Sequence, residues 1–309
     1  MLRILVLGSA AGGGFPQWNC NCANCRRARL GDKAARPRTQ SSLAVSTDGA
    51  RWVLLNASPD LRQQIAANPP LHPGRPGRHS PIAAAVVTNG DVDHVAGLLS
   101  LRESQPLALY GSDRVIDVLA RNSIFNVLNP DSVVRRPLPL DRPTAIADRD
   151  DRSLGLNVRA FPVPGKVALY LEDASAGPDF GTRPGDTLGL EVRDTDGRGF
   201  FYIPGCSAMP ADLAARLKGA NLVFFDGTLW RDDEMIAAGV GTKTGSRMGH
   251  MNVSDETGSI AAFAPLGVGR KVFIHINNTN PVLLEDSPER TQVTAAGWDV
   301  AFDGMEIAL

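Results

Sequence analysis

The chain has 309 residues, 43% of them hydrophobic and 21% charged, with a net charge of -1. That composition excludes a disordered or fibrous chain and supplies a large core. Near-neutral charge argues against a nucleic-acid partner or an anionic membrane surface. The apolar start, residues 1–10, is too short to cross a bilayer and lacks the frame of a signal peptide, so the sequence reads as cytoplasmic with no membrane partner.

Runs rich in Val, Ile and Leu, each bounded by turn residues, predict strands at residues 2–7, 42–46 and 52–56, then a helix over 61–67. Residues 69–81 hold five prolines and two histidines, His72 and His79, and read as a surface loop able to cover a site. A strand follows at 82–88, a helix at 92–103, a strand at 107–110 and a helix at 114–121. The second half predicts strands at 156–162, 187–192, 199–203, 222–225, 271–275 and 298–302, with helices at 210–217 and 254–264. Pro210 suits a first helical turn and Ser254 an N-cap region. Two β-rich halves with interspersed helices, and no long linker, fit one domain over residues 1–309 in which two sheets are covered by helices.

Three of the four cysteines, Cys20, Cys22 and Cys25, form C-x-C-x-x-C in a loop rich in Gly and Asn. In a reducing compartment this spacing favours a structural zinc over a disulfide, and tetrahedral zinc needs one further ligand. Cys206 completes a four-thiolate site on composition alone. So few nearby cysteines argue against an iron–sulfur cluster.

The stretch from Thr88 to His94 (T-N-G-D-V-D-H) ends a strand and opens a helix. Such a junction gathers side chains at one point, and the helix start favours anionic ligands. Asp91 and Asp93 as simple helix caps are the other reading. The stretch resembles the H-x-H-x-D-H motif of the metallo-β-lactamase superfamily. Asn89 and Asp91 stand in place of the first two histidines, while Asp93 and His94 keep the last two positions. On the same resemblance Asn56 replaces an Asp, and His275, at a buried strand end, takes the place of the last metal-binding His. No His stands at the turn of Gly165, and residues 202–207 offer Gly205 and Cys206 where a bridging Asp is usual. The implied fold is the α/β metallo-β-lactamase fold, a four-layer αββα sandwich. The surviving metal ligands are Asp93, His94 and His275, with Asp91 as a further ligand or base. Two histidines and one carboxylate are the donor set of non-haem Fe(II) oxygenases, so Fe(II) or another divalent metal is expected. A two-metal hydrolase needs more bridging ligands than this.

Taken together, the cysteine motif, residues 89–94, Pro204 to Cys206, Met248 to Met251 and His275 to Pro281 resemble the B proteins of pyrroloquinoline quinone (PQQ) biosynthesis over essentially the whole chain. A more distant relative, a phosphodiesterase of phosphonate breakdown, completes its zinc knot with a His three residues after its last metal-binding His. Asn278 holds that position here, which makes it the second candidate for the fourth zinc ligand. The resemblance implies an iron-dependent hydroxylase acting on the tyrosine ring of a cross-linked Glu–Tyr precursor. The alternative is a carrier that binds finished PQQ and takes it towards export. A hydrolase is the third reading, and the missing bridging ligands argue against it. Expected partners are the precursor or PQQ, other proteins of that pathway, and a second copy of the chain in a homodimer.

Further polar residues are candidates. Asp226 ends the strand at 222–225 and points towards a site mouth. His250, in a Gly-rich loop, is a proton donor or acceptor. Arg247 and Lys243, on the same loop, fit substrate carboxylates, or a solvated loop face. Trp18, Trp52, Trp230 and Trp298 read as core or wall residues.

Overall fold

The computed structural model describes all 309 residues. The first half builds strands β1 (Arg3–Gly8), β2 (Ser42–Ser46), β3 (Trp52–Leu55), β4 (Ile82–Val86), β5 (Leu107–Gly111) and β6 (Val133–Pro137). The second half builds β7 (Pro143–Ala147), β8 (Ser153–Pro162), β9 (Leu188–Asp194), β10 (Gly199–Ile203), β11 (Leu222–Asp226), β12 (Arg270–Ile274) and β13 (Trp298–Val300), and β14 (Glu306–Ala308) returns to the first sheet. The sheets run β14-β1-β2-β3-β4-β5-β6 and β13-β12-β11-β10-β9-β8-β7. Strands β3 to β6 are mutually parallel, as are β10 to β13.

Alternation explains which faces meet. In β8 the residues Leu154, Leu156, Val158 and Ala160 point one way and are buried, while Ser153, Gly155, Asn157 and Arg159 between them are exposed or half-buried. Together with Val6, Leu43, Val86, Phe200, Phe224 and Ile274 they fill the space between the sheets. The opposite face of the first sheet carries a second core with Leu61, Leu98, Val115 and Leu119 from the covering helices. The opposite face of the second carries a third, with Leu213, Leu217, Phe263 and Val293. Three cores between four layers are the expected αββα sandwich.

The structure departs from the sequence reading in specific places. Strands β6, β7 and β14 were not predicted, and each lies at a sheet edge. Edge strands are short and half-solvated, and two of these contain proline, so no buried run or clean alternation marks them. The helix predicted at 92–103 is one α-turn, Val92–Val95, followed by a 3₁₀ segment, Ala96–Leu101. The backbone there lies against the chain at Ala57 and Ser58: Gly97 N–H donates to Ala57 O at 2.9 Å, and a Cβ at Gly97 would stand 2.1 Å from Ser58 O. The helix predicted at 254–264 shortens to Ser259–Phe263, because Ser254 Oγ donates to Trp230 O instead of capping. The proline loop sits at the start of β4, beside Arg51 and Arg152, and so lies at the opposite end of the strand from residues 88–94 and covers no site there. Trp18 is 84% exposed, whereas Trp52, Trp230 and Trp298 are buried.

After β12 the chain runs through a buried polar segment, Asn277, Asn278, Thr279 and Asn280. Asn24 Nδ2 donates to the carbonyls of Asn278, Thr279 and Asn280, and Asn280 Nδ2 donates to Gly227 O. Glu234 accepts from Thr279 Oγ1 and from Trp230 N–H at 2.6 Å. Burial pushes this carboxyl up to about 7, against hydrogen bonds that favour its charge. The folded state therefore holds the Glu234 proton more tightly than the unfolded chain. Its contribution to stability is full below the unfolded value near 4.5 and falls as pH rises towards 7. Allowing for its partial exposure, wild type should lose on the order of 2 kcal/mol more than Glu234→Gln between pH 5 and 7.5. Urea unfolding of both proteins at the two pH values measures this, and equal losses would exclude Glu234 as the titrating group.

Candidate metal centres

The cysteine motif folds as a loop closed by the helix Ala23–Arg29, and this brings the three sulfurs of Cys20, Cys22 and Cys25 within 4.8 Å of one another. Backbone N–H groups of Gln17 and Cys22 donate to Cys25 and Cys20 Sγ, both at 3.4 Å. The side-chain amide of Asn278 caps the cluster, its Nδ2 3.1, 3.6 and 3.3 Å from Cys20, Cys22 and Cys25 Sγ. Amide nitrogen and oxygen are interchangeable by rotation of the group. With Asn278 Oδ1 turned to the sulfurs, the cluster would offer the four donors that a closed structural zinc site takes. Of the two candidates for the fourth position, Asn278 is the one whose side chain lies over the three sulfurs. Cys206 is ruled out: its thiol, raised to about 12 chiefly by burial, donates to Ala208 O at 3.0 Å and joins no cysteine cluster.

The second centre forms where strands of both sheets end. Asp93, His94 and His275 bring one carboxylate oxygen and two ring nitrogens within 4.8 Å. Asn56, at φ 63° after β3, ties this edge together: its amide accepts from Thr88 N–H at 2.8 Å and donates to Tyr202 Oη at 3.3 Å. His94 Nδ1 lies 2.8 Å from Asn89 Oδ1, which has lone pairs only, so the ring proton sits on Nδ1. Nε2 is then an acceptor, buried and without a hydrogen-bond partner, 3.9 Å from Asp93 Oδ2. His275 shows the same design. Thr228 Oγ1 gives its one proton to Asp226 Oδ1 at 2.6 Å and so accepts from His275 Nδ1–H at 2.9 Å. His275 Nε2 faces Asp93 Oδ2 at 2.9 Å. Both imidazoles thus have the tautomer fixed from outside, with Nε2 turned inwards, as metal-binding histidines require.

Electrostatics follows this packing. Burial pushes His94 down to about 4, so it is neutral at pH 7. Burial alone would raise Asp93, but the neighbouring imidazoles outweigh it and hold the carboxylate ionised. His275 is raised, because Asp93 outweighs the desolvation of its ring. The residues fit a divalent cation: a partnerless buried nitrogen, a carboxylate held charged, and an imidazole whose extra proton a cation would displace.

A second group of possible donors, Asp226, His250 and His275, is a hydrogen-bonded network in which each carboxylate oxygen is in use. Asp226 Oδ2 accepts from Cys206 N–H at 2.8 Å and His250 Nδ1 at 2.6 Å, while Oδ1 accepts from Thr228 N–H at 3.0 Å. The His250 ring stacks on His275, centroids 5.1 Å apart. Asp226 therefore orients His250 with its Nε2 free. Thr228 was invisible to sequence reasoning, although a strand-end Asp followed by Gly and Thr was the available signal.

Between Pro164 and Thr187 the chain forms a strap over the Asp91 edge of the site. Tyr170 Oη donates to Gly90 O at 2.7 Å and Leu169 N–H to Asp91 Oδ1 at 3.1 Å. Asp91 joins neither donor group, and its carboxyl is raised by burial and by the charge of Asp93. Arg247 does not stand free. It makes a bidentate pair with Glu172 of the strap, at 2.7 and 3.1 Å, and its guanidinium lies 3.7 Å from the Phe180 ring centre. Lys166 Nζ reaches the same carboxylate at 3.0 Å. Lys243 makes no ion pair. Lys166 and Glu172 were missed, because the strap carries no motif.

Residues 51–276 match the family described as Beta-lactamase superfamily domain. "Coenzyme PQQ synthesis protein B" of Xanthomonas oryzae pv. oryzae is 56% identical over 308 residues, covering 100% of both chains. The protein of the same name from Gluconacetobacter diazotrophicus is 56% identical over 310 residues, covering 99% of each. A crystal structure described as Zn(2+)-bound PqqB from Methylobacterium extorquens superposes with a TM-score of 0.93 at 53% identity, covering 99% of this chain and 100% of that one. A diphosphatase of the PhnP family, 20% identical with a TM-score of 0.67 over 100% of this chain and 98% of that one, shares the fold. The chain belongs to the coenzyme PQQ synthesis protein B family of the β-lactamase superfamily.

Proposed function

We propose that this protein acts in PQQ biosynthesis as a metal-dependent hydroxylase of the tyrosine-derived ring of a cross-linked Glu–Tyr precursor. Asp93, His94 and His275 hold the active metal, and the cysteine cluster with Asn278 holds a structural zinc. The family supports the pathway, and the Zn(2+)-bound relative supports a divalent metal. The observation that carries the reading is His94 Nε2, a buried acceptor with no partner beside an ionised carboxylate and a second inward-facing imidazole nitrogen. Fe(II) held by these two imidazoles and one carboxylate would supply redox chemistry towards dioxygen.

The protein's own groups do the rest. Asn89 and Thr228 hold the two rings in register. Asp226 keeps the His250 proton on Nδ1, which leaves Nε2 to take a proton from a phenol of the substrate. Asp91, raised towards its neutral form, is a second proton carrier on the strap side. The strap limits water at that edge through Leu169 and Tyr170.

Protein purified anaerobically and loaded with Fe(II) should place label from dioxygen into a hydroxylated product of the Glu–Tyr precursor. No oxygen uptake, together with tight stoichiometric binding of finished PQQ, would establish the carrier function instead. Alanine at Asp93, His94 or His275 should lower turnover by about a thousandfold or more while the cysteine cluster keeps its zinc. Metal analysis showing two unchanged equivalents in the His94 variant would disprove the ligand assignment. Cys22→Ser should release the structural zinc and lower Tm by roughly 2 °C for each kcal/mol of site stability lost. Full zinc and an unchanged Tm in that variant would remove the zinc assignment.

A further inference from the structure

Two cations converge on one carboxylate at the edge of the site. Lys166 Nζ and Arg247 Nη1 share Glu172 Oε1 at 3.0 and 3.1 Å, and Arg247 Nη2 takes Oε2 at 2.7 Å. The cluster is mostly shielded from water, with Glu172 12% and Lys166 16% exposed. Charge-assisted, bidentate geometry of this kind recognises planar carboxylates. Phe180 backs the guanidinium at 3.7 Å and holds its fork in place.

The carboxylate that fills this fork belongs to a segment with little else to hold it. Leu169, Tyr170 and Leu171 leave 57, 46 and 40% of their surface exposed, so the apolar anchors of the strap on this side are Val167 and Ala168 at its base, and Glu172 lies beyond them. Its other ties near Glu172 are the single hydrogen bonds from Tyr170 to Gly90 and from Leu169 to Asp91. Of the two cations, Arg247 is on the body of the protein, on the loop before His250, while Lys166 stands at the base of the strap, six residues before Glu172. Lys166 packs on Gly249, next to His250, and is close enough to Asp91 for its charge to act on that carboxyl. Arg247 is three residues from His250. A cavity of about 410 Å³ lies against the strap, bordered by Phe180, Leu171, Arg114, Arg121 and Arg183. It gives the strap room to shift; of its arginines, Arg114 and Arg121 are already paired with Asp186 and Asp117.

We infer that Lys166 and Arg247 form a binding site for a ligand carboxylate, and that Glu172 occupies it as an internal stand-in which a polycarboxylate ligand displaces. Any ligand then competes with a tethered carboxylate, which rejects neutral or singly charged compounds and admits those with several carboxylates. The site rests on the proposed function only for which polycarboxylate uses it. The ring precursor and PQQ both carry several.

The test uses the full chain and two probes: benzene-1,3,5-tricarboxylate, which tests the site without reference to PQQ, and PQQ itself, with its trimethyl ester as the uncharged control. Titration calorimetry should show Glu172→Gln binding both acids about tenfold more tightly than wild type, with Lys166→Gln and Arg247→Gln about tenfold more weakly. The ester should respond to none of the changes. Hydrogen exchange over residues 165–186 should speed up in Glu172→Gln, and either acid should reproduce that effect in wild type. Equal affinities for the tricarboxylate across the four proteins, or weaker binding in Glu172→Gln while its Tm is unchanged, would overturn the inference. Tricarboxylate binding with the expected charge dependence, but no PQQ binding, would keep the site and count against the PQQ reading alone.

Discussion

His275 is gripped on both ring nitrogens, and the rest of the site depends on that grip. Thr228, just beyond β11, holds Nδ1, while Asp93, just beyond β4, meets Nε2. These partners come from different sheets, so the donor set exists only while the sheets keep their spacing. The core between the sheets sets that spacing, because close-packed interiors do not deform smoothly. His275 itself has φ 59°, a left-handed conformation that costs a non-glycine residue on the order of 1 kcal/mol. The strain is tolerated because the fold fixes the residue from both sides.

The two metal centres share one short segment. His275 and Asn278 are separated by three positions, and everything between them is buried. Asn278 closes the cysteine cluster, and Asn24, on the helix that carries Cys25, donates to three consecutive carbonyls of the same segment. A zinc in that cluster would therefore do more than tie down the N-terminal loop. It would fix the far end of the segment whose near end carries His275. Buried polar backbone of this kind needs complete pairing to be stable, and the asparagines and Glu234 provide it.

What could be read in the sequence was local. The cysteine spacing, the Thr88 to His94 junction and the central strands are short-range patterns, and they folded as their residue types dictate. Edge strands β6, β7 and β14 were not legible, because their pairing is decided by a neighbour distant in sequence rather than by their own alternation. The helix after His94 misled for a related reason: its apolar period is helical, but docking against Ala57 and Ser58 tightens it to a 3₁₀ turn. In the site, Asp93, His94 and His275, which the structure brings together, were readable as candidates, and the partners that orient them were not. Thr228 meets His275 across 47 residues, and Glu172 meets Arg247 across 75. Asn89 was read as a lost ligand, whereas its oxygen fixes the His94 tautomer and accepts from Asp91 N–H.

That last point bears on why this branch of the fold would carry different chemistry. At Asn89 a ligand position of the superfamily has become an orienting group, which still supports the metal site but no longer adds a donor to it. The turn that carries the third-motif histidine elsewhere is here Pro164 and Gly165. It is packed against Thr187, whose Oγ1 would stand 2.7 Å from a Cβ on Gly165. Pro164 O also accepts from Ser207 N–H at 2.8 Å, which pins the turn to the segment that holds Cys206. The strap begins at this turn. A larger side chain at Gly165 would collide with the Thr187 packing that launches the strap, so the turn that starts the strap leaves no room for a ligand-bearing side chain there. A site with fewer donors leaves more coordination positions open, and a strap over its edge restricts water. Both would suit the redox chemistry on an organic ring proposed above better than hydrolysis.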